Sequence, residues 1–378
     1  MTTDAAPVTA PAAAVPLSGA TPCLVLDIAA VRARYAELRA ALPSARVYYA
    51  VKANPRREVL AALADAGSGF DVASPGEIDA ALAGGARPES LCYANPVRSP
   101  SDARIAAAAG VRLFVTDSAE DLAVLAAAAP GSSVLVRLAV DDSGAATPFG
   151  GKFGCSQAEA AALLGRARAI GLDAAGLAFH VGSQQARPAA FVDAVEAAAR
   201  VADAAEVPVR LLDVGGGFPV RYRDPVPGIG EFAAAIGAAV RRRFPGRAPE
   251  LAVEPGRLLV AEAGVLHASV VRVSRRHDGR RWVYLDVGRY GGLAETEGEA
   301  IGYRLATEHD GGPLAPAVLA GPTCDGDDVL YREVALPAAL RAGDAVRLLA
   351  AGAYTASYAS VGFNGLPPLA VRCTDSGS

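Results

Sequence analysis

The most constraining feature of this sequence is a rhythm of short apolar runs, each followed by an alanine-rich amphipathic segment. Continuous apolar runs of this length are typical of strands that are buried on both faces of a parallel sheet. Eight strand–helix units predict a (β/α)8 barrel, with a doubly wound open sheet as the alternative. The predicted strands are 47–51, 69–73, 91–94, 112–115, 134–139, 176–181, 209–214 and 251–253.

The chemically unusual residues favour the barrel over the open sheet. They lie at or near the C-terminal ends of different predicted strands, where the βα loops of a barrel converge and where barrel enzymes carry their catalytic groups. The intervening helices are predicted at 57–66, 75–83, 101–109, 119–128, 157–170, 188–204 and 231–243. The residues at the strand ends are Lys52, Asp71, Arg137, His180, the glycine run 215–217 and Glu254.

The rhythm changes after about residue 258. Short apolar runs separated by Gly, Pro and Asp turns then predict an all-β domain, as a sandwich or Greek key, with no long amphipathic helix. Its strands are expected at 258–273, 282–287, 318–320, 329–333, 344–349 and 368–373, and an early strand at 23–26 is expected to join them. Asp27 is placed to cap a helix at 28–42. The predicted division is a barrel over 40–257, a β domain from 19–39 plus 258–378, and a disordered tail over 1–18.

Composition excludes several classes of function. With 378 residues, 52% of them hydrophobic, and a net charge of −4, the chain reads as an ordinary soluble protein, without the basic excess that nucleic acid or an anionic membrane requires. The N-terminus has neither a signal-peptide nor a membrane-anchor pattern. Five cysteines without a CxxC pair and four histidines without metal-ligand spacing indicate a reducing, cytoplasmic setting and no metal.

Lysine is scarce in this chain, which has only Lys52 and Lys152 and otherwise uses arginine for positive charge. A guanidinium stays protonated and is a poor nucleophile, whereas an amine in an apolar site can lose its proton and form a Schiff base. Lys52 follows an apolar strand, and Asn54-Pro55 ends that strand abruptly. Lys52 is therefore a candidate for amine chemistry, and the alternative is a plain charge at a strand end.

The motif YAVKANP around Lys52 resembles the cofactor-lysine motif of the pyridoxal-phosphate enzymes of alanine-racemase fold, which include ornithine, arginine and diaminopimelate decarboxylases. The resemblance covers nearly all of residues 20–373 and implies that Lys52 holds pyridoxal 5′-phosphate covalently. It also implies that backbone and side-chain groups hold the cofactor phosphate, and these groups belong to Gly216, Gly217, Gly256, Arg257, Ser183 and Tyr354.

Other site residues carry a functional and a structural interpretation side by side. By resemblance Glu254 keeps the pyridine nitrogen protonated, which favours a decarboxylase over a racemase, although it could be a glutamate paired with Arg257. His180 in HVGSQ would stack on the cofactor ring or be a satisfied core histidine. Asp71 would lie near the lysine or cap the helix at 75, a task that Ser74 could also perform.

Two further residues are matched by the resemblance. Arg137 corresponds to the family's barrel arginine. Lys152 corresponds to a KFG-loop lysine that would pair with an acidic group, either in the same chain or across a dimer interface.

The loop GPTCDG in the second domain resembles ornithine decarboxylase more than the diaminopimelate enzymes. By analogy Cys324 would return a proton to the substrate after CO2 leaves, and Asp325 would accept the distal ammonium group. Both would reach the cofactor of a partner subunit, so that a symmetric homodimer would hold two shared sites. Phe363 and Tyr290 are assigned to the substrate pocket, and Glu299 stands where the family places an aspartate.

These features predict a pyridoxal-phosphate-dependent decarboxylase that acts on a basic L-amino acid, with ornithine, the precursor of putrescine and the polyamines, ahead of lysine. Diaminopimelate is an alternative substrate, although no arginine in the matched motifs is placed for its distal carboxylate, and a larger amino-acid conjugate is another. A racemase of the same barrel and a non-catalytic regulatory homologue are the two alternative functions.

Overall fold

The computed structural model describes residues 20–149, 151–205 and 207–376. The predicted tail over 1–18 lies outside the described residues. The described chain divides into two units, one running from Val31 to Leu259 and the other combining the segment up to Ala30 with the segment from Val260 onward. The helix Ile28–Ala41 begins in the second unit and continues in the first. The sequence-based division at 39 and 257 stays a prediction.

Eight parallel strands close into a barrel in the first unit, which confirms the predicted (β/α)8 architecture and rules out the open sheet. Closure occurs where the last strand pairs with the first, Ala252 with Arg46 and Val253 with Val47. The strands, in order around the barrel, are Arg46–Ala50, Gly69–Val72, Leu91–Tyr93, Leu113–Thr116, Ser133–Leu138, Asp173–Phe179, Leu211–Asp213 and Glu250–Val253.

The barrel strands are almost continuously buried, as expected for strands that face side chains inside and helices outside. Burying one such aliphatic side chain contributes about 1.5–3 kcal/mol. A cluster of small and aliphatic side chains contributed by several strands forms the interior core: Tyr48, Cys92, Ala94, Leu113, Val115, Leu135, Ala175, Ala178, Leu211 and Ala252.

Serine residues start several of the barrel helices. Ser74, Ser99, Ser118 and Ser156 each accept a hydrogen bond from the backbone N–H three residues later. Each cap stabilises its helix by about 1 kcal/mol. The helices are Arg57–Asp65, Pro75–Ala83, Pro100–Ala108, Ala119–Ala128, Gln157–Ala169, Pro188–Ala204 and Ile229–Arg243, within two residues of the predicted bounds. None of the helices in the described chain is long and apolar enough to cross a membrane.

The second unit contains one connected eight-stranded sheet. As predicted, the early strand Cys23–Asp27 joins it, pairing antiparallel with Gly264–Arg275 and parallel with Ala370–Thr374. Asp27 then caps the helix Ile28–Ala41 by accepting from the Ala29 N–H at 2.9 Å. The main path of the sheet runs through Arg304–Thr307, Ala345–Leu349, Gly264–Arg275, Arg281–Leu285, Leu314–Ala320 and Val329–Pro337. The sandwich or Greek-key arrangement of these strands stays a prediction.

The expected strand over 258–273 is wrong in its first part. Arg257–Val260 forms one helical turn, and the strand begins only at Gly264, whose N–H bonds to the Ala261 carbonyl at 3.1 Å. A Cβ at Gly264 would collide with the backbone of Gly352. Glycine at this position allows the two segments of backbone to approach each other closely. The strand Arg304–Thr307 was not predicted, nor was the small two-stranded antiparallel sheet of Ala145–Thr147 with Ser183–Gln185.

Candidate active site

Lys52 lies in a single helical turn that directly follows the strand Arg46–Ala50. Its Nζ is 3.0 Å from Oδ2 of Asp71, on the adjacent strand Gly69–Val72. The Lys52 side chain is 49% exposed, whereas that of Asp71 is 2% exposed. The helix at 75 is capped by Ser74, which accepts from the Glu77 N–H at 3.3 Å. The capping alternative for Asp71 is therefore wrong, and a buried carboxylate orients an accessible amine.

Glu77 is a residue that the sequence did not single out. Its Oε2 accepts a hydrogen bond from the Ala73 N–H at 2.7 Å, and burial, with the Asp71 charge second, raises the pKa of Glu77 to about 7. The spacing from Ser74 to Glu77 resembles a capping box. From the sequence alone Glu77 therefore indicates a helix start and not a second carboxyl group near the Lys52 amine.

Glu254 follows the last barrel strand, Glu250–Val253. Burial raises the pKa of Glu254 well above its usual range, Asp213 and Asp71 raise it further, and Lys52 and Arg137 oppose the rise. Oε1 of Glu254 is buried and receives no hydrogen bond from any group in the described chain. Such an acceptor fits the protonated ring nitrogen of a pyridine cofactor, which supplies the missing donor.

The glycine run follows the strand Leu211–Asp213 in a space that has no room for side chains. A Cβ on Gly216 would collide with the Glu254 carbonyl oxygen, and one on Gly217 would collide with the Gly182 carbonyl oxygen. Either Cβ would also lie 3.3 Å from the ring of His180. Only glycine allows this approach, and a bare backbone of this kind suits a phosphate group.

His180 is held in one tautomer. Its Nδ1 accepts a hydrogen bond from the Gly182 N–H at 3.1 Å, so the ring proton is on Nε2. Burial, with the Arg137 and Lys52 charges after it, lowers the pKa of His180 well below its usual value, and the ring is neutral. The ring centroid is 4.7 Å from that of Phe149. A neutral, oriented imidazole with aromatic support is suited to stacking against a flat cofactor.

Arg137 packs its guanidinium 4.8 Å from the ring centroid of Phe153 and 5.9 Å from that of Phe149. Burial lowers the pKa of Arg137, and Glu254 is the strongest charge that supports its protonated form. Lys152, the other lysine, is exposed, and its Nζ lies 5.0 Å from the Phe153 centroid. Arg137 therefore supplies positive charge to the buried carboxylates, whereas Lys152 lies on the surface of its loop.

Arg257, next to Gly256, is buried and joins two hydroxyl groups. Its Nη1 donates to the Tyr222 hydroxyl at 2.8 Å, and its Nη2 donates to Oγ of Ser183 at 3.1 Å. Ser183 begins the short strand Ser183–Gln185. A guanidinium with two hydroxyl groups around it can bind an anion such as the cofactor phosphate. Tyr222 was not predicted, because no motif marks it five residues after the glycine run.

The second unit brings together the residues predicted to contact substrate. The exposed Cys324 thiol lies 3.3 Å from Nδ2 of Asn364, and burial followed by the nearby Asp325 carboxylate raises the pKa of the Tyr290 hydroxyl. The Tyr290 ring packs against Phe363 with centroids 4.5 Å apart. A thiol, a carboxylate and an aromatic wall thus form one surface, which we call the thiol–carboxylate cluster. Asn364 is the member that was not assigned from the sequence.

Asp328 holds together the two loops that carry this cluster. Its Oδ1 accepts from the Arg289 N–H at 2.8 Å, and its Oδ2 accepts from the Thr323 N–H at 3.0 Å and the Thr323 hydroxyl at 2.7 Å. A Cβ on Gly288 or Gly321 would collide with this carboxylate. Asp328 therefore joins the loop before Tyr290 to the loop that carries Cys324.

Tyr354 and Glu299, the remaining predicted site residues, both have left-handed backbone geometry, with φ of 57° and 59°. Non-glycine residues in this region store strain and are found disproportionately at functional sites. Oε1 of Glu299 accepts a hydrogen bond from the Arg332 N–H at 2.7 Å, which anchors its side chain to the strand Val329–Pro337.

Residues 28–261 match the family model for the pyridoxal-dependent decarboxylase, pyridoxal binding domain. A lysine/ornithine decarboxylase of Selenomonas ruminantium is 39% identical over 350 residues, with 91% of this chain and 87% of the relative covered. A diaminopimelate decarboxylase of Actinosynnema pretiosum subsp. auranticum is 37% identical, with 92% and 83% covered.

The crystal structure of a Vibrio vulnificus lysine/ornithine decarboxylase complexed with cadaverine superimposes with a TM-score of 0.84 at 34% identity, covering 94% of each chain. The closed barrel, the residues suited to a pyridine cofactor at its mouth and these similarities all indicate the same family. The chain belongs to the pyridoxal-dependent decarboxylases and is a pyridoxal-phosphate-dependent enzyme that decarboxylates amino acids of the basic class.

Proposed function

We propose that this enzyme decarboxylates L-ornithine first and L-lysine second. The observation that carries the proposal is the carboxylate of Asp325, which follows Cys324 in the chain and lies near enough to Tyr290 to raise the pKa of its hydroxyl. A carboxylate at this point matches a substrate whose distal end is only an ammonium group and disfavours one whose distal end also carries a carboxylate, as that of diaminopimelate does. The lysine/ornithine relatives are consistent with this charge.

Bound pyridoxal phosphate supplies an electron sink for the pair of electrons released with CO2. Lys52 attaches the cofactor through its amine, and Asp71 orients that amine. Arg257 and Ser183, with the backbone of Gly216 and Gly217, hold the phosphate. When the cofactor is bound, Glu254 would accept from the ring nitrogen and keep it protonated, and His180 would support the flat face of the ring. Tyr354 is proposed as a further phosphate ligand.

Cys324 returns the proton. After CO2 leaves, the S–H bond breaks, the proton goes to the substrate α-carbon and the thiolate remains. Asn364 holds the sulfur in place through its amide, at 3.3 Å. Phe363 and Tyr290 form the wall beside the substrate chain. Glu299, anchored to Arg332, limits the length of the pocket at the distal end.

The enzyme is proposed to act as a homodimer in which the thiol–carboxylate cluster of one subunit completes the site at the barrel mouth of its partner. Apolar side chains next to the cluster are exposed in the single chain: Tyr358, Val361, Phe363 and Leu366. A contiguous group of exposed apolar residues indicates a surface that is covered on association. The resemblance to the decarboxylase family supports a partner subunit at this surface.

Glu254→Gln is expected to lower kcat by roughly 10²-fold while the cofactor still binds, because the amide keeps the shape of the side chain and loses the negative charge opposite the ring nitrogen. The measurement is kcat together with a cofactor titration by absorbance. Glu250→Gln, on the exposed end of the same strand, is the matched control and is expected to leave kcat unchanged. Equal kcat in the two variants would remove Glu254 from its proposed role.

The substrate is tested by CO2 release from L-ornithine, L-lysine, L-arginine and meso-diaminopimelate. We expect kcat/KM to be highest for ornithine, with lysine next. Asp325→Asn should raise the KM for ornithine about ten- to a hundred-fold, the value of one hydrogen bond to a charged group. Asp327→Asn, in the same loop, is the control. Preference for diaminopimelate, or an unchanged KM in Asp325→Asn, would refute the assignment.

A further inference from the structure

Asp213 is a buried carboxyl group outside the set of residues that would bind the cofactor or the substrate. It ends the strand Leu211–Asp213, is fully buried, and its Oδ1 accepts a hydrogen bond from the Gly215 N–H at 2.8 Å. Glu254 lies just past the end of the neighbouring strand, where its backbone N–H donates to the Gly215 carbonyl at 2.9 Å. One side chain therefore holds the glycine run and lies close to the residue proposed to face the cofactor ring.

The buried oxygens of Asp213 and Glu254 lack a donor. Neither Oδ2 of Asp213 nor Oε1 of Glu254 receives a hydrogen bond from a backbone or side-chain donor in the described residues, and both atoms are buried. Ionised carboxylates only accept hydrogen bonds, so two ionised groups cannot satisfy each other. A buried acceptor without a donor is costly, and two neighbouring buried negative charges are more so. One proton held between the two groups removes both costs.

The surrounding charges also favour a single negative charge on the pair. Lys52 and Arg137 are the cations that act on it, and Asp71 is the other carboxylate. With one proton on the pair, its charge and that of Asp71 balance the two cations. Full ionisation would leave an excess negative charge in a low-dielectric interior. The neighbouring Cys92 thiol and Tyr48 hydroxyl are neutral, since burial raises the pKa of each.

We propose that Asp213 is a positioning residue that keeps the proton of this pair and donates it in a hydrogen bond to Glu254, so that the negative charge stays on Glu254. The proposal rests on the proposed role of Glu254. A cation at the ring nitrogen favours ionisation of the carboxyl group nearest to it, which leaves the proton on Asp213. Because Oδ1 of Asp213 holds Gly215, the same side chain keeps the phosphate-binding backbone and the ring-nitrogen carboxylate in register.

Asparagine tests this assignment, because its amide reproduces a protonated aspartate. The amide oxygen can accept from Gly215, and the amide N–H can donate to Glu254. We expect Asp213→Asn to bind pyridoxal phosphate within about three-fold of the wild-type affinity, and Asp213→Ala to bind it about ten- to a hundred-fold more weakly, the value of a hydrogen bond to a charged group. Asp173→Asn, on the barrel surface, is the control.

Unfolding of the apoprotein gives a readout that does not depend on activity. A carboxyl group whose folded-state pKa is raised stabilises the fold at low pH, and that stability is lost as pH rises towards the folded-state pKa. Burial raises the pKa of Asp213. Wild-type stability should therefore fall between about pH 4 and pH 7 more steeply than that of Asp213→Asn, by a slope of about one proton.

Two results would overturn the proposal. Parallel pH profiles of unfolding for wild type and Asp213→Asn would show that Asp213 holds no proton in the folded protein. A cofactor affinity in Asp213→Asn as weak as in Asp213→Ala would show that the amide cannot replace the Asp213 side chain. Equal affinities of wild type and Asp213→Ala would overturn it as well. Failure of the proposed function is seen separately, as an unchanged kcat in Glu254→Gln.

Discussion

Lys52→Ala is expected to abolish CO2 release from every amino acid, by roughly 10⁴-fold or more, because the variant loses the amine that attaches the cofactor and returns it after each turnover. The fold should persist, since the Lys52 side chain is half exposed and its buried partner Asp71 keeps the Arg137 charge nearby. The measurement is kcat/KM for L-ornithine with saturating pyridoxal phosphate.

Lys152 provides the matched control for Lys52, because no other lysine exists in the chain. Lys152→Arg should still show a cofactor bond after borohydride reduction, with the added mass on the peptide that contains Lys52. Lys52→Ala should show no such mass. If the cofactor mass appears on the Lys152 peptide, or if Lys52→Ala keeps its activity, the assignment of the cofactor lysine is wrong.

Cys324→Ala is the second change with a large expected effect. The variant loses the group proposed to return a proton to the α-carbon, and loss of a positioned general acid costs about 10²–10⁴-fold in rate. Cofactor binding should be unchanged, since the thiol belongs to the second unit and the cofactor residues of the barrel are intact. The measurement is kcat for diamine formation, with the cofactor absorbance recorded in the same sample.

Cys373→Ala is the control for Cys324, because Cys373 is a partly exposed cysteine of the same unit that lies on the strand Ala370–Thr374, outside the loop that carries Cys324. We expect Cys373→Ala to keep the wild-type rate. A Cys324→Ala enzyme that forms diamine at that same rate would assign the proton to another donor.

The barrel and much of its chemistry could be predicted from the sequence, because both depend on local signals. Continuous apolar runs followed by serine-capped helices specify βα units, and unusual residues at strand ends meet when the strands close. For this reason Lys52, Asp71 and Glu254 were identified correctly as neighbours. The turn at Arg257–Val260 was mistaken for strand, because an apolar run of that length does not distinguish a helical turn from a strand.

The contacts that were missed depend on residues far apart in the chain. Asp213 reads as the last residue of a strand, and pairing of that strand with Glu250–Val253 brings it near Glu254, 41 positions later. Asn364 meets Cys324 across 40 positions, in a loop without periodicity. Glu77 carries an ordinary helix-capping pattern, and its raised pKa arises from burial beside Asp71. Spacing in the sequence does not encode these distances.

The two inactive variants together provide the most direct test that the site is built from two subunits. Lys52→Ala and Cys324→Ala chains, each with a different affinity tag, are co-expressed, and the heterodimer is purified through both tags. One of its two shared sites then has both Lys52 and Cys324, so the heterodimer should release CO2 from L-ornithine at about half the wild-type rate per dimer. A heterodimer as inactive as its parents would contradict the account, because a site contained within one chain cannot be restored by mixing.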